Sequence, residues 1–74
     1  MLKKINSGME AERLKPGDLV YDSPIEATAR EFTVRAKWYG YCILVHGGDF
    51  PSLKILSKAR LIRGGWSVRE PVAN

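Results

Sequence analysis

This chain has very little of what disulfide-braced, metal-dependent or membrane proteins are built from. It holds one cysteine, Cys42, and one histidine, His46, among 74 residues. A single cysteine excludes an internal disulfide and a multi-cysteine zinc site. One His and scattered carboxylates are too few for a metal centre. The longest apolar stretch, Tyr41 to Val45, is far shorter than the ~20 residues of a membrane-spanning helix. Two lysines near the N-terminus have no apolar segment behind them, so no signal peptide is expected. Gly47-Gly48 and Gly64-Gly65 lack the spacing and the following helix of a phosphate-binding loop. There is no internal repeat, linker or low-complexity run. The expectation is a reduced, cytoplasmic, single-domain protein without a cofactor and without a membrane partner.

Hydrophobic residues make up 45% of the chain and charged residues 27%, which suits a folded domain. A chain of this length buries only about 60% of its unfolded surface, so its core is thin. The net charge of +4 is unevenly placed. Residues 1–29 hold Lys3, Lys4, Arg13 and Lys15 against Glu10, Glu12, Asp18, Asp22 and Glu26. Residues 30–74 hold Arg30, Arg35, Lys37, Lys54, Lys58, Arg60, Arg63 and Arg69 against Glu31, Asp49 and Glu70. The second half therefore carries a positive field that attracts polyanions.

Residues 1–13 form an N-terminal segment in which Ser7-Gly8-Met9-Glu10 fits a capping box and allows one helical turn over Met9–Arg13. In Leu14-Lys15-Pro16-Gly17-Asp18, Pro presets φ and Gly supplies positive φ, as a type II turn requires. Leu19-Val20-Tyr21 reads as a first strand. Ile25–Arg30 reads as an irregular loop, with a short helix as the competing assignment. From Glu31 the pattern has period two: Phe32, Val34, Ala36 and Trp38 on one face, Thr33, Arg35, Lys37 and Tyr39 on the other. Tyr39-Gly40 marks a turn, and Tyr41–His46 a second, more buried strand. Gly47-Gly48-Asp49 signals a hairpin, extended by Phe50-Pro51-Ser52. Leu53–Leu56 is expected as a fourth strand, Ser57-Lys58-Ala59 as a tight link, and Arg60–Arg63 as a fifth strand ended by Gly64-Gly65. Residues 66–74 form a C-terminal tail, with Trp66–Arg69 able to add a sixth strand.

Five short strands separated by turns imply an all-β fold: a small five-stranded barrel over residues 14–65 with short irregular N- and C-terminal segments. The order of Lys15-Pro16-Gly17-Asp18-Leu19-Val20, a loop, a long hairpin through Trp38, a one-turn link and a last strand resembles an SH3-like barrel of the Tudor and KOW type. Ile55-Leu56-Ser57-Lys58-Ala59-Arg60-Leu61-Ile62-Arg63 is similar to the end of the C-terminal DNA-binding domain of retroviral integrases. That resemblance implies DNA binding through basic side chains, a tendency to self-associate, and roles for Lys58, Arg60 and Arg63.

Catalysis has little behind it. His46 at a strand end lacks a readable carboxylate or nucleophile partner, Cys42 lies in the most apolar stretch, and Asp18 follows a turn that needs a backbone acceptor. The expectation is a non-enzymatic protein. Cations that meet phosphates and aromatic rings that stack on bases point to DNA or RNA binding, through Arg35, Lys37, Tyr39, Tyr41, Lys54, Lys58, Arg60 and Arg63. Trp38 is expected in the core, with Tyr39 and Tyr41 exposed beside their turn. An acidic partner protein would meet the same cations as a nucleic acid. The main alternative is a protein-interaction module that binds a peptide or partner protein through an aromatic groove. A further alternative is a homo-oligomer that self-associates through Trp66–Val68.

Overall fold

The long period-two segment beginning at Glu31 organises the molecule. A computed structural model describes residues 1–47 and 52–69. In chain order the elements are β1 (Leu2–Lys4), α1 (Gly8–Glu12), β2 (Leu19–Tyr21), β3 (Glu31–Trp38), β4 (Tyr41–His46), β5 (Ser52–Ser57), α2 (Lys58–Arg63) and β6 (Ser67–Arg69). All strand pairs are antiparallel, in the order β1-β6-β2-β3-β4-β5. The bounds of β2, β3 and β4 match the strands expected from the sequence. The Gly48–Pro51 part of the expected hairpin loop, including Phe50, lies outside the described residues, as do residues 70–74.

Local chemistry explains the two turns. Asp18 N–H donates to the Lys15 carbonyl at 3.0 Å, and Gly17 has φ 99°, so Pro16-Gly17 forms the expected turn. Tyr39 and Gly40 have φ 47° and 79°, the positive pair of a type I′ hairpin turn.

The expected five-stranded SH3-like barrel is not what the chain forms. The sheet is open and six-stranded: β1 and β5 are its two edges and do not pair with each other. Two short helices accompany it. The resemblance to Tudor, KOW and integrase domains fails with it, because Lys58–Arg63 is a helix rather than a turn and a closing strand. The reason lies in the caps. Ser57 Oγ accepts from the Arg60 N–H and starts α2. At its other end Gly65 N–H donates to the Ile62 carbonyl and Trp66 N–H to the Leu61 carbonyl, with Gly65 at φ 76°. This is a Schellman cap, and Gly64-Gly65 ends a helix, not a strand. A Cβ at Gly64 would meet the Arg60 carbonyl oxygen at 2.9 Å.

The N-terminal segment is also more regular than expected. Ser7 caps α1 by accepting from Glu10 N–H, and Glu10 reaches back to the Asn6 N–H at 2.8 Å. Ahead of it, β1 pairs with β6. Strand β6 lies between β1 and β2, so Ser67 and Trp66 are buried inside the fold. Trp66–Val68 is thus a structural seam, not a free surface for self-association.

One face of the sheet buries the core: Val20, Phe32, Val34, Cys42 and Leu44 pack with Ile5, Ala11, Leu14, Leu61 and Trp66. Phe32 and Trp66 meet edge to face with centroids 5.0 Å apart. The helices close this side. Lys58 Nζ bonds Glu12 Oε1 and Lys37 Nζ bonds the Glu12 carbonyl, each at 2.7 Å, tying α1 to α2 and to β3.

The helical assignment of Lys58–Arg63 is testable by denaturant unfolding. Ser57→Ala should destabilise the fold by about 1 kcal/mol through loss of the cap. Leu61→Ala, which removes a fully buried side chain, should cost about 2–5 kcal/mol.

A candidate interaction face on strands β3 to β5

The expected alternation along β3 breaks at one residue. Val34 pairs with Leu44 and Ala36 with Ile43, so Arg35 is an extra residue, a β-bulge. Beyond it every side chain changes face. Lys37, opposite buried Cys42, turns toward the helices. Trp38, expected in the core, turns outward opposite Tyr41.

The outer face of β3, β4 and β5 consequently carries Thr33, Ala36 and Trp38 beside Val45, Ile43 and Tyr41, and then Leu53, Ile55 and Ser57. None of these nine side chains is charged. Trp38 is 67% exposed, Tyr41 47%, Leu53 60% and Ile55 57%. At the rim Tyr39 is 84% exposed and lies 4.9 Å from the Trp38 ring. This exposed apolar surface is the candidate site of the molecule.

The same face is covered at its other end. Ser67 Oγ donates to the Ser23 carbonyl, Arg69 pairs with Glu26, and the Arg69 guanidinium sits 5.2 Å from the centre of the Tyr21 ring. Asp22 holds Arg30 through both the backbone N–H and the side chain. The loop that links β2 to β3 is thus pinned over β2 and β6 and stops short of Trp38. The part expected as an irregular loop has only turns.

The residues expected to bind nucleic acid do not gather on one surface. Lys37 and Lys58 are engaged by Glu12 at an exposed contact between the helices and β3. Arg35 is exposed at the bulge, and Lys54 lies on β5 opposite Leu44, on the core side of the sheet. Arg60 and Arg63, three residues apart on α2, share one side of a helix, rather than opposite faces of a strand. Tyr39 and Tyr41 are exposed as expected and belong to the apolar face. Sequence reasoning missed Trp38, Leu53 and Ile55 as surface residues. No motif announces the bulge that exposes Trp38, but the Ser57 cap and Gly64-Gly65 did announce the helix.

The residues weighed for catalysis have structural roles. His46 Nδ1 lies 2.7 Å from the Glu31 carbonyl, and its ring packs on Phe32. Cys42 is buried, and burial pushes its thiol pKa up. Asp18 accepts from the Lys15 N–H. Among the described residues no three His, Cys, Asp or Glu side chains come together as metal ligands, and no helix is long and apolar enough to cross a membrane. An open depression of about 1020 Å³ lies near β1, β2 and β6, but Lys3, Arg13 and Arg69 alternate there with Glu10, Asp18 and Glu31.

No protein-family model, curated protein or solved structure matches this chain.

The ion pairs make stability depend on acid. The hydrogen bond and charge of Lys58 hold the Glu12 carboxyl below its ordinary range, and Arg69 does the same for Glu26. For Asp22, burial acts upward, but the backbone N–H and guanidinium of Arg30 outweigh it. Carboxyls lowered in the folded state stabilise it above the unfolded-state value and lose that contribution as pH falls through the folded value. Thermal unfolding should therefore be nearly constant from about pH 7 to about pH 5 and shift downward below about pH 4.

Proposed function

We propose that this protein is a non-enzymatic, cytoplasmic interaction module that docks a partner protein on the uncharged apolar face of β3, β4 and β5. The observation that carries this reading is the exposure of Trp38, Tyr41, Leu53 and Ile55 together on one face without a charged neighbour among the paired positions. Such a face suits a partner surface that is itself apolar and flat. The turn residue supports the same reading. Tyr39 takes a left-handed backbone conformation that Asn would adopt with less strain, and its ring is almost wholly in solvent. Strain held at an exposed aromatic is a feature of binding sites. Placement in the cytoplasm is supported by the lone, unpaired Cys42.

The test is capture from nuclease-treated lysate with immobilised wild-type protein and with Trp38→Ser, both shown to be folded by circular dichroism. A partner held by the wild type and lost with Trp38→Ser is expected. Identical captured proteins from both would overturn the reading. Tyr39→Asn separates the two roles of that residue: it should raise stability by about 1 kcal/mol in denaturant unfolding while weakening partner capture.

A second reading, nucleic-acid binding, is favoured by one specific observation. Every acidic side chain among the described residues accepts an internal bond: Glu10, Glu12, Asp18, Asp22, Glu26 and Glu31. Arg35, Lys54, Arg60 and Arg63 have no ion-pair partner among those residues. In this reading these cations meet phosphates, and Tyr39 or Tyr41 stacks on a base. Fluorescence anisotropy with DNA and RNA oligomers should show affinity that falls steeply from low to physiological salt, and Arg60→Ala should flatten that slope. No binding at low salt would remove this reading.

A further inference from the structure

The two edges of the sheet are protected very differently. Strand β1 has three residues, two of them lysines, and short charged strands resist pairing with other chains. Strand β5 has six residues, Ser52-Leu53-Lys54-Ile55-Leu56-Ser57, with no proline and a single charge. Its first four residues are exposed. Its inner edge pairs with β4 along its whole length, and among the described residues nothing pairs with its outer edge. Alternate residues of β5 therefore present backbone N–H and C=O groups outward as a template for another strand.

We propose that β5 pairs with β5 of a second copy of this chain, antiparallel about a two-fold axis perpendicular to the sheet. The argument for a second copy is one of charge and symmetry. In such a pair, directly opposed residues must share a face, so the axis passes through one residue pair. Centred on Lys54, the pairing would set two ammonium groups directly opposite each other, which is repulsive. Centred on Ile55, it sets Ile55 against Ile55, Leu53 against Ser57 and Lys54 against Leu56, with no like charges opposed. The Ile55 register is thus self-complementary in a protein whose net charge of +4 otherwise opposes self-association. The inference is independent of the partner proposed for the apolar face. It extends that face, because Leu53 and Ile55 of both copies then lie side by side on one continuous sheet.

The experiment combines sedimentation equilibrium with directed cross-linking of the full chain. Wild-type protein should show a concentration-dependent dimer. Ile55→Cys should form a covalent dimer under mild oxidation, because opposed Cα atoms at ~4.5–5.5 Å lie within disulfide reach. Lys54→Cys should not, because its symmetry mate is a diagonal neighbour at ~7–8 Å. Ile55→Lys opposes two charges at an exposed position and should weaken association by about tenfold or more, with its melting curve confirming the fold. The proposal is overturned by a monomer up to millimolar concentration with no Ile55→Cys cross-link, by equal cross-linking of Lys54→Cys, or by unchanged association of Ile55→Lys. None of these outcomes decides whether a partner docks at Trp38, which the capture experiment reads separately.

Discussion

One extra residue in β3, Arg35, sets which side chains of that strand face the helices and which face water. Up to Val34 the strand alternates as its hydrophobic pattern demands, with Phe32 and Val34 inside. Past the bulge the alternation is inverted, so the cation Lys37 points toward the helices and the indole of Trp38 toward water. Lys37 is tolerated there because it reaches the Glu12 carbonyl, at the point where α1 meets α2. A long amphipathic side chain suits that position, with its stem on apolar surface and its amine on a polar group. The helix contacts and the exposed aromatic face are therefore linked through one backbone irregularity.

The division of charge follows from the same packing. A small domain with a thin core uses its carboxylates for structure. Glu12 joins two helices, Asp22 and Glu26 pin the loop after β2, and Asp18, Glu10 and Glu31 satisfy turn, cap and tyrosine donors. Several cations remain without such partners among the described residues, and the nine side chains at the paired positions of the outer face from Thr33 to Ser57 carry no charge. Polyanion attraction and apolar docking therefore belong to different surfaces of the same small sheet.

Much of the local structure was legible because it rests on short-range chemistry. The Pro16-Gly17 turn, the Tyr39-Gly40 turn, the Ser7 cap, strands β2 to β4 and the burial of Cys42 all follow from residues within a few positions of one another. Lys58–Arg63 is a helix where a turn and a strand are expected, because its apolar pair Leu61-Ile62 fits either period over so short a run. Ser57 and Gly64-Gly65 were the deciding residues, and they are helix caps. The candidate site was legible only in Tyr39 and Tyr41. Trp38 follows Phe32, Val34 and Ala36 in the sequence pattern, and nothing in that pattern shows that the count slips at Arg35.

By itself the sequence determined that the chain has no disulfide, that its charge is concentrated in one half, and where most turns and strands begin. These are properties of composition and of neighbouring residues. Only the tertiary structure decided that the sheet stays open, that β6 is an inner strand beside β1, and that Trp38 faces outward while Lys37 is drawn in. Each depends on pairing between segments far apart in the chain, such as β1 with β6 or β3 with β4 across a bulge. A shift of one residue in such a pairing reverses every side chain beyond it, at a point where the local sequence is unchanged.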